Sequence, residues 1–174
     1  VFGRYCRAGT AIKSGSDMLS IVIAFAARFL LVGLFLPFSA LDKVLNFDDA
    51  VEQAAQVISS RLLSTILILC GLWVEVGMSL CILTGLADRL AALILAGYCI
   101  VTALLWKQFW KSPDYRLKGK SQGRDVFWDF LKNFALAGGF LLLAFGANAS
   151  GVTHFVSDPF ASSHPYTVIE GASR

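Results

Sequence analysis

Charged side chains interrupt two apolar stretches whose lengths suit membrane-spanning helices. Arg28 lies thirteen residues before Leu41, where the first stretch ends, and Glu75 lies thirteen residues after Leu62, where the second begins. Because such stretches run antiparallel from their shared loop, both charges lie about 20 Å from the same face. An ionised group at that depth costs at least about 2–3 kcal/mol unless it is paired or hydrated. The spacing therefore predicts a buried Arg28–Glu75 ion pair.

Several roles are open to these residues. The ion pair can simply fix the register of two helices, or Arg28 can extend toward the N-terminal face, about 15 Å away. In the functional interpretation, the pair binds a headgroup such as a quinone carbonyl, or Glu75 accepts a proton. Trp73 lies two residues from Glu75 and is either a core residue or an aromatic platform for that ligand.

A second polar cluster is predicted near the face that carries the first loop. Lys43 directly follows the first apolar stretch, and Asp129, Lys132 and Asn133 begin the fourth. The last three residues are spaced i, i+3 and i+4, so they share one helical stripe. This stripe can pair with Lys43 and close the bundle, or it can receive a polar ligand. Plain anchoring at the membrane interface is the alternative.

The composition excludes a soluble single-domain enzyme. The 174 residues are 56% hydrophobic and 16% charged, with a mean hydropathy of +0.66, whereas globular chains average about 25% charged residues. The apolar residues are grouped into four runs, over about 18–41, 62–84, 90–110 and 126–147. We therefore predict an all-α fold, an integral membrane four-helix bundle over residues 18–147.

The segments outside these runs complete the predicted organisation. Residues 1–17 form a polar N-terminal segment, and residues 148–174 form an extramembrane tail without helical periodicity. Residues 42–61 place apolar side chains at helical spacing behind acidic ones, which predicts a short interfacial helix between spans 1 and 2. The short link 85–89 makes spans 2 and 3 antiparallel neighbours.

Basic residues are distributed unevenly between the two predicted faces. Eight Lys or Arg residues lie near the spans on the side of loops 42–61 and 111–125, seven of them in these loops and the eighth being Lys107, against four on the other side. The positive-inside rule therefore favours a multi-pass protein with both loops cytoplasmic and both termini outside. The net charge of +3 arises beside apolar spans, so membrane lipids, and not nucleic acid, are the expected partners.

Cysteine and histidine positions do not favour an intrinsic cofactor or a metal site. No two cysteines have C-x-x-C spacing, and both histidines, His154 and His164, lie in the tail. No span therefore offers the paired imidazoles that would hold a haem across a bundle. A bound quinone remains compatible with this composition.

Three stretches carry a family resemblance: ARFLLVGLFLPFSALDKVLNF, TGLADRLAALIL and, most firmly, FLKNFALAGGFLLLAFG. They are similar to the DoxX family of small four-helix bacterial membrane proteins, over about residues 25–147. The firmest matching positions are Leu131, Lys132, Asn133, Gly138 and Gly139. The family includes subunits of quinone-linked oxidoreductases, so the resemblance implies a quinone-associated protein of the bacterial inner membrane.

Three functions remain open at this point. The first is an accessory or quinone-site subunit of a larger quinone-linked electron-transfer complex, held in place by the other subunits. The second is a free-standing quinone-binding oxidoreductase that uses Arg28, Glu75 and Lys132. The third is a small-molecule transporter, for which the sequence shows no inverted repeat. Whether the chain is itself an enzyme is left open.

Overall fold

The computed structural model describes residues 14–58, 60–148 and 150–167. These residues form an all-α protein without strands, as predicted. The predicted N-terminal segment up to residue 13 and residues 168–174 of the tail lie outside the described residues. The helices are α1 (Ser14–Val32), α2 (Ala40–Leu45), α3 (Phe47–Ala55), α4 (Arg61–Thr84), α5 (Asp88–Trp106), α6 (Gln122–Phe145) and α7 (Ser150–Ser157).

The first predicted span is a bent pair of helices and not one continuous helix. After α1, residues Leu34–Ser39 form a π-helical segment, and helical residues 34–45 leave the axis of α1 at 45°. Pro37 explains the break, because proline has no N–H to donate and its ring crowds the carbonyl one turn earlier. Among the described residues, three helices are long and apolar enough to cross a membrane, and the bent pair is a fourth candidate.

The helix predicted between spans 1 and 2 is present as α3, and it forms a hairpin with α4. Val51 and Ala54 are the buried residues of α3, which packs along α4 together with α2. The hairpin reverses direction between the end of α3 at Ala55 and the start of α4 at Arg61. Helices α2 and α3 therefore run alongside α4 in the antiparallel direction, whereas a loop lying flat across the ends of the spans would not.

The apolar core surrounds α5, which packs against α4 on one side and α6 on the other. Ala92 and Ala96, which lie one turn apart on α5, are buried in this contact. Small residues let helix backbones approach closely, and lipid-embedded bundles depend on such packing. Leu95 and Phe140 are fully buried beside them, and the Phe140 ring lies 5.8 Å from that of Phe35.

The C-terminal segment contains a helix, although its sequence predicts a tail without helical structure. Residues 150–157 form α7, which packs against α6, and the rings of Phe145 and Phe155 lie 5.2 Å apart. The chain then returns to the turn between α4 and α5, where Pro165 contacts Gly85. Gly85 has a φ of +77°, and a Cβ there would lie 2.9 Å from Pro165 Cδ. Only glycine fits this position without strain.

Asp114 fastens the loop between α5 and α6 to the start of α6. Its carboxylate accepts hydrogen bonds from the backbone N–H groups of Gln122 at 2.8 Å and Gly123 at 3.0 Å. It also accepts a 2.6 Å bond from the Ser112 hydroxyl. The first turn of a helix leaves its N–H groups without partners in the helix, so this carboxylate acts as a cap.

Acid is expected to loosen the start of α6. The Ser112 hydroxyl and the Gly123 N–H hold the pKa of Asp114 below its usual value. A carboxyl whose pKa is lowered by folding stabilises the fold above its ordinary pKa, and this contribution is lost as the pH falls through the lowered value. Hydrogen-exchange protection of the Gln122 and Gly123 amides should therefore decrease once the pH is below about 4.

Asp114→Asn should lower this protection already at neutral pH, where the parent protein keeps its cap. Asp125→Asn is the matched control, since Asp125 is an exposed carboxylate in the first turn of α6. Equal protection in both variants at neutral pH would contradict the assignment of Asp114 as the cap.

Candidate functional site

Glu75 is the centre of a buried polar site on α4. Its side chain is 2% exposed, and Lys43 Nζ lies 2.7 Å from its Oε1 atom. The Tyr98 hydroxyl donates to the same oxygen at 2.7 Å, and the Ser39 hydroxyl lies 3.1 Å from both carboxylate oxygens. Lys43 Nζ also donates to Ser39 Oγ at 2.7 Å. A buried carboxylate is tolerated when a cation and hydroxyl donors surround it in this way.

The predicted Arg28–Glu75 ion pair is wrong, because Lys43 occupies the place expected for Arg28. The prediction counted residues from Leu41, as though the loop began there. In the structure, helices α2 and α3 continue alongside α4 as far as the end of α3 at Ala55. Lys43 lies twelve residues before the end of α3 at Ala55, and Glu75 lies fourteen residues after the start of α4 at Arg61, so this hairpin brings them nearly level.

Arg28 belongs instead to a second buried cluster, beside the turn between α4 and α5. Its Nη2 atom donates to Asp88 Oδ2 and to Ser163 Oγ, both at 2.7 Å. Asp88 is fully buried and also accepts hydrogen bonds from the backbone N–H of Ser163 at 2.9 Å and from the Ser163 hydroxyl. This Arg28–Asp88–Ser163 cluster joins α1, α5 and the C-terminal segment.

Glu75 borders a cavity of about 660 Å³. Much of the wall is apolar and includes Leu34, Phe35, Leu67 and Val74. A cavity of this size with apolar walls and a few convergent polar groups is typical of small-molecule sites. Within the described part of the chain, no three His, Cys, Asp or Glu side chains are grouped to hold a metal ion.

The predicted stripe of Asp129, Lys132 and Asn133 lines the same cavity, together with Lys107. Asp129 accepts hydrogen bonds from Lys107 Nζ at 3.3 Å and Lys132 Nζ at 3.1 Å. Asn133 Nδ2 donates to the backbone carbonyl of Asp129 at 2.9 Å. Of the alternatives for this stripe, the pairing with Lys43 is wrong, because the Lys43 ammonium is held by Glu75. Two carboxylates, those of Glu75 and Asp129, therefore line the cavity.

Trp73 does not belong to the site. Its side chain is 68% exposed, and it is not a lining residue of the cavity. Residues two apart on a helix point to nearly opposite sides, so Trp73 turns away when Glu75 turns inward. It is therefore neither a core residue nor a platform for a ligand in this cavity.

Sequence reasoning missed Ser39, Tyr98 and Asp88. A signal for Tyr98 was present, since it is the only tyrosine within the four apolar runs. Asp88 was visible in TGLADR, but its position near the end of a span disguised its complete burial. No local signal pointed to Ser39, because a serine in a helix commonly bonds only to its own backbone.

Residues 23–108 match the DoxX family model. No curated protein and no solved structure matches the chain. The matched residues include both buried ion pairs, whereas α6 and the stretch Leu131–Gly139, expected to be the firmest part of the likeness, lie beyond them. The chain is a multi-pass membrane protein that carries a DoxX domain over residues 23–108 and belongs to the DoxX family.

Proposed function

We propose that this protein binds a quinone in the Glu75 cavity, as the quinone-site subunit of a larger electron-transfer complex. Unused hydrogen-bonding capacity at Glu75 carries this proposal. The Lys43 ammonium has three N–H donors, of which Glu75 and Ser39 take one each. Among the described residues, Glu75 Oε2 accepts only from Ser39. One donor and one acceptor are thus left for a ligand.

This pair of groups suits both redox forms of a quinone. The free N–H of Lys43 can be donated to a quinone carbonyl, and Glu75 Oε2 can accept from a quinol hydroxyl. A carboxylate bonded to a quinol hydroxyl is also placed to accept its proton, as general bases require. The ligand's electrons would come from, or pass to, a redox partner in the complex.

The remainder of the cavity suits the apolar part of such a ligand. Leu34, Leu67 and Val101 line the cavity and are also exposed, so its wall opens on the side of the bundle. In a membrane protein, this opening would face the lipid in which quinones dissolve. A ligand could then enter from the bilayer with its ring toward Glu75 and its chain toward the opening.

Membership of a larger complex rests on the family resemblance to subunits of quinone-linked oxidoreductases. We place the protein in the bacterial inner membrane, in contact with lipids and other subunits. The face that carries loop 111–125 and the end of segment 42–61 next to α4 would lie on the cytoplasmic side because of its basic residues. Extraction from native membranes in mild detergent, with identification of every copurified subunit and quinone analysis, tests this assignment. A single-subunit particle would contradict it.

Quinone binding can be followed through tryptophan fluorescence. Trp106 lines the cavity, whereas Trp73 does not. Titration with decylubiquinone in lipid nanodiscs should therefore give saturable quenching. The Trp73→Phe variant should keep that signal, and the Trp106→Phe variant should lose most of it. Quenching that does not saturate, or that persists in Trp106→Phe, would contradict binding in this cavity.

Gly71→Ala is expected to weaken quinone binding severalfold. A Cβ at position 71 would lie 3.2 Å from the Tyr98 hydroxyl oxygen, closer than an ordinary contact. The phenol must then shift, and its bond to Glu75 must lengthen. Gly97→Ala is the matched control, because no atom lies within 4 Å of a Cβ there. Equal dissociation constants for the two variants would argue against a role for Tyr98.

A further inference from the structure

The cavity has a polar end that lies beside loop 107–121. Lys107 follows α5 directly, and Asp129 and Lys132 lie in the first three turns of α6. We call these three residues the mouth. Tyr98 lies nine residues before Lys107, which is about 13 Å along α5, so the mouth and Glu75 are well separated. The mouth is also accessible to water, since the Lys132 side chain is 71% exposed.

The opposite direction from Glu75 is closed. Between Glu75 and the turn that joins α4 to α5, the interior contains the fully buried side chains of Ile82 and Leu95. The Arg28–Asp88–Ser163 cluster lies at that turn, and the C-terminal segment covers it. Each oxygen of Asp88 already accepts a hydrogen bond within this cluster.

We propose that the cavity is one-sided: water and protons reach Glu75 through the mouth and not from the face that carries the α4–α5 turn. The groups that face Glu75 are Ser39, Lys43 and Tyr98, and each lies on the cavity wall. A proton given up by a ligand at Glu75 would therefore leave on the side of loop 107–121. This inference uses the site of the proposed function but does not require that the ligand be a quinone.

The mouth should also select by charge. It holds two ammonium groups and one carboxylate, because Lys107 and Lys132 share Asp129. The excess positive charge lowers the energy of an anion at the mouth relative to a cation. Small anionic reagents should therefore pass the mouth faster than cationic reagents of the same size.

A cysteine at position 102 provides the test. Thr102 lines the cavity one turn from Tyr98 toward the mouth, and cysteine is close to threonine in size. Thr102→Cys is placed in a variant with all four native cysteines changed to alanine. Membrane-impermeant thiosulfonates are then added to right-side-out and to inverted vesicles. Lys118→Cys and Ser157→Cys, both at exposed positions, report the loop face and the opposite face.

We expect the cysteine at position 102 to react from the face that labels Lys118→Cys and not from the face that labels Ser157→Cys. Labelling from the Ser157 face, from both faces or from neither would overturn the proposal. If Thr102→Cys does not fold, the native Cys70 thiol, which also lines the cavity, serves as the reporter with the other three cysteines replaced.

Charge selection supplies a second readout in the same vesicles. An anionic sulfonate reagent should react about fivefold faster than a cationic ammonium reagent, each rate being taken relative to that with a free thiol in solution, as expected for one excess positive charge at about 8 Å in a medium as polar as water. Lys132→Ala should remove this preference, whereas Lys118→Ala, in the exposed loop, should keep it. An unchanged preference for the anionic reagent in Lys132→Ala would show that the reagents do not pass through the mouth.

These outcomes can be told apart from those for the proposed function. One-sided labelling without saturable decylubiquinone binding would reject the quinone and keep the one-sided cavity. Saturable decylubiquinone binding combined with labelling from both faces would keep the quinone and reject the one-sided cavity.

Discussion

Asp88→Ala is expected to destabilise the protein by about 3–5 kcal/mol, the typical cost of removing one partner from a buried ion pair. Asp88 is fully buried, and among the described residues it is the only carboxylate that forms an ion pair with Arg28, whose side chain is 10% exposed. Its removal leaves the guanidinium without an anion. It also takes away the acceptor for the Ser163 N–H and hydroxyl, so the C-terminal segment should detach.

Thermal unfolding in detergent measures this effect, and limited proteolysis after α7 reports the release of the C-terminal segment. Asp125→Ala removes an exposed carboxylate and is the control. Ser163→Ala should cost less, about 1.5–3 kcal/mol, since it removes a hydroxyl bonded to charged groups and keeps the ion pair. A parent-like melting temperature for Asp88→Ala would show that the cluster does not stabilise the fold.

A double variant separates loss of charge pairing from loss of packing. Arg28→Met in combination with Asp88→Ala leaves no unpaired charge in the interior. Apolar replacement of a whole buried pair is commonly tolerated, so this protein should be more stable than Asp88→Ala alone. A double variant that is less stable than the single variant would exclude the unpaired guanidinium as the cause.

Glu75→Gln is expected to lower the affinity for the reduced ligand, decylubiquinol, by about 10- to 100-fold while the chain stays folded. Glutamine has nearly the same shape, and its carbonyl can still accept from Tyr98 and Lys43. It lacks the charged acceptor that a quinol hydroxyl or a proton requires. A hydrogen bond to a charged group contributes about 1.5–3 kcal/mol, which corresponds to that loss of affinity.

Fluorescence titration of Trp106 measures the affinity, and the melting temperature checks that the variant is folded. Glu52→Gln, which changes an exposed carboxyl on α3, is the matched control. Should the Lys43 ammonium destabilise the single variant, Lys43→Met with Glu75→Gln removes both charges and should recover stability but not affinity. Parent-like affinity in the folded Glu75→Gln protein would refute the proposed role of Glu75.

The helical architecture was largely predictable because it depends on local properties of the chain. Apolar runs of about twenty residues predicted the long helices α4, α5 and α6, and helical spacing in residues 42–61 predicted α3. The same reasoning missed the break around Pro37 and the helix α7. Proline broke a helix that apolar length alone presented as continuous, and α7 depends on packing against α6.

The site was predictable in its members more than in its pairings. Glu75, Lys43, Asp129, Lys132 and Asn133 were singled out because charged or polar groups in or beside apolar runs are costly, and all five line one cavity. The prediction that Trp73 belongs to the site was wrong because an aromatic ring in a span carries no such penalty on a lipid-facing surface. Sequence spacing also paired Arg28 with the wrong carboxylate.

The sequence alone determined that the chain is apolar, helical and multi-pass, since these properties follow from composition and periodicity over short stretches. Only the tertiary structure decided which charges meet. A helical hairpin of uncertain turn position admits several registers, and packing of α3 along α4 selects the one that brings Lys43 to Glu75. The Arg28–Asp88–Ser163 cluster needed the whole fold, because it joins residues up to 135 positions apart.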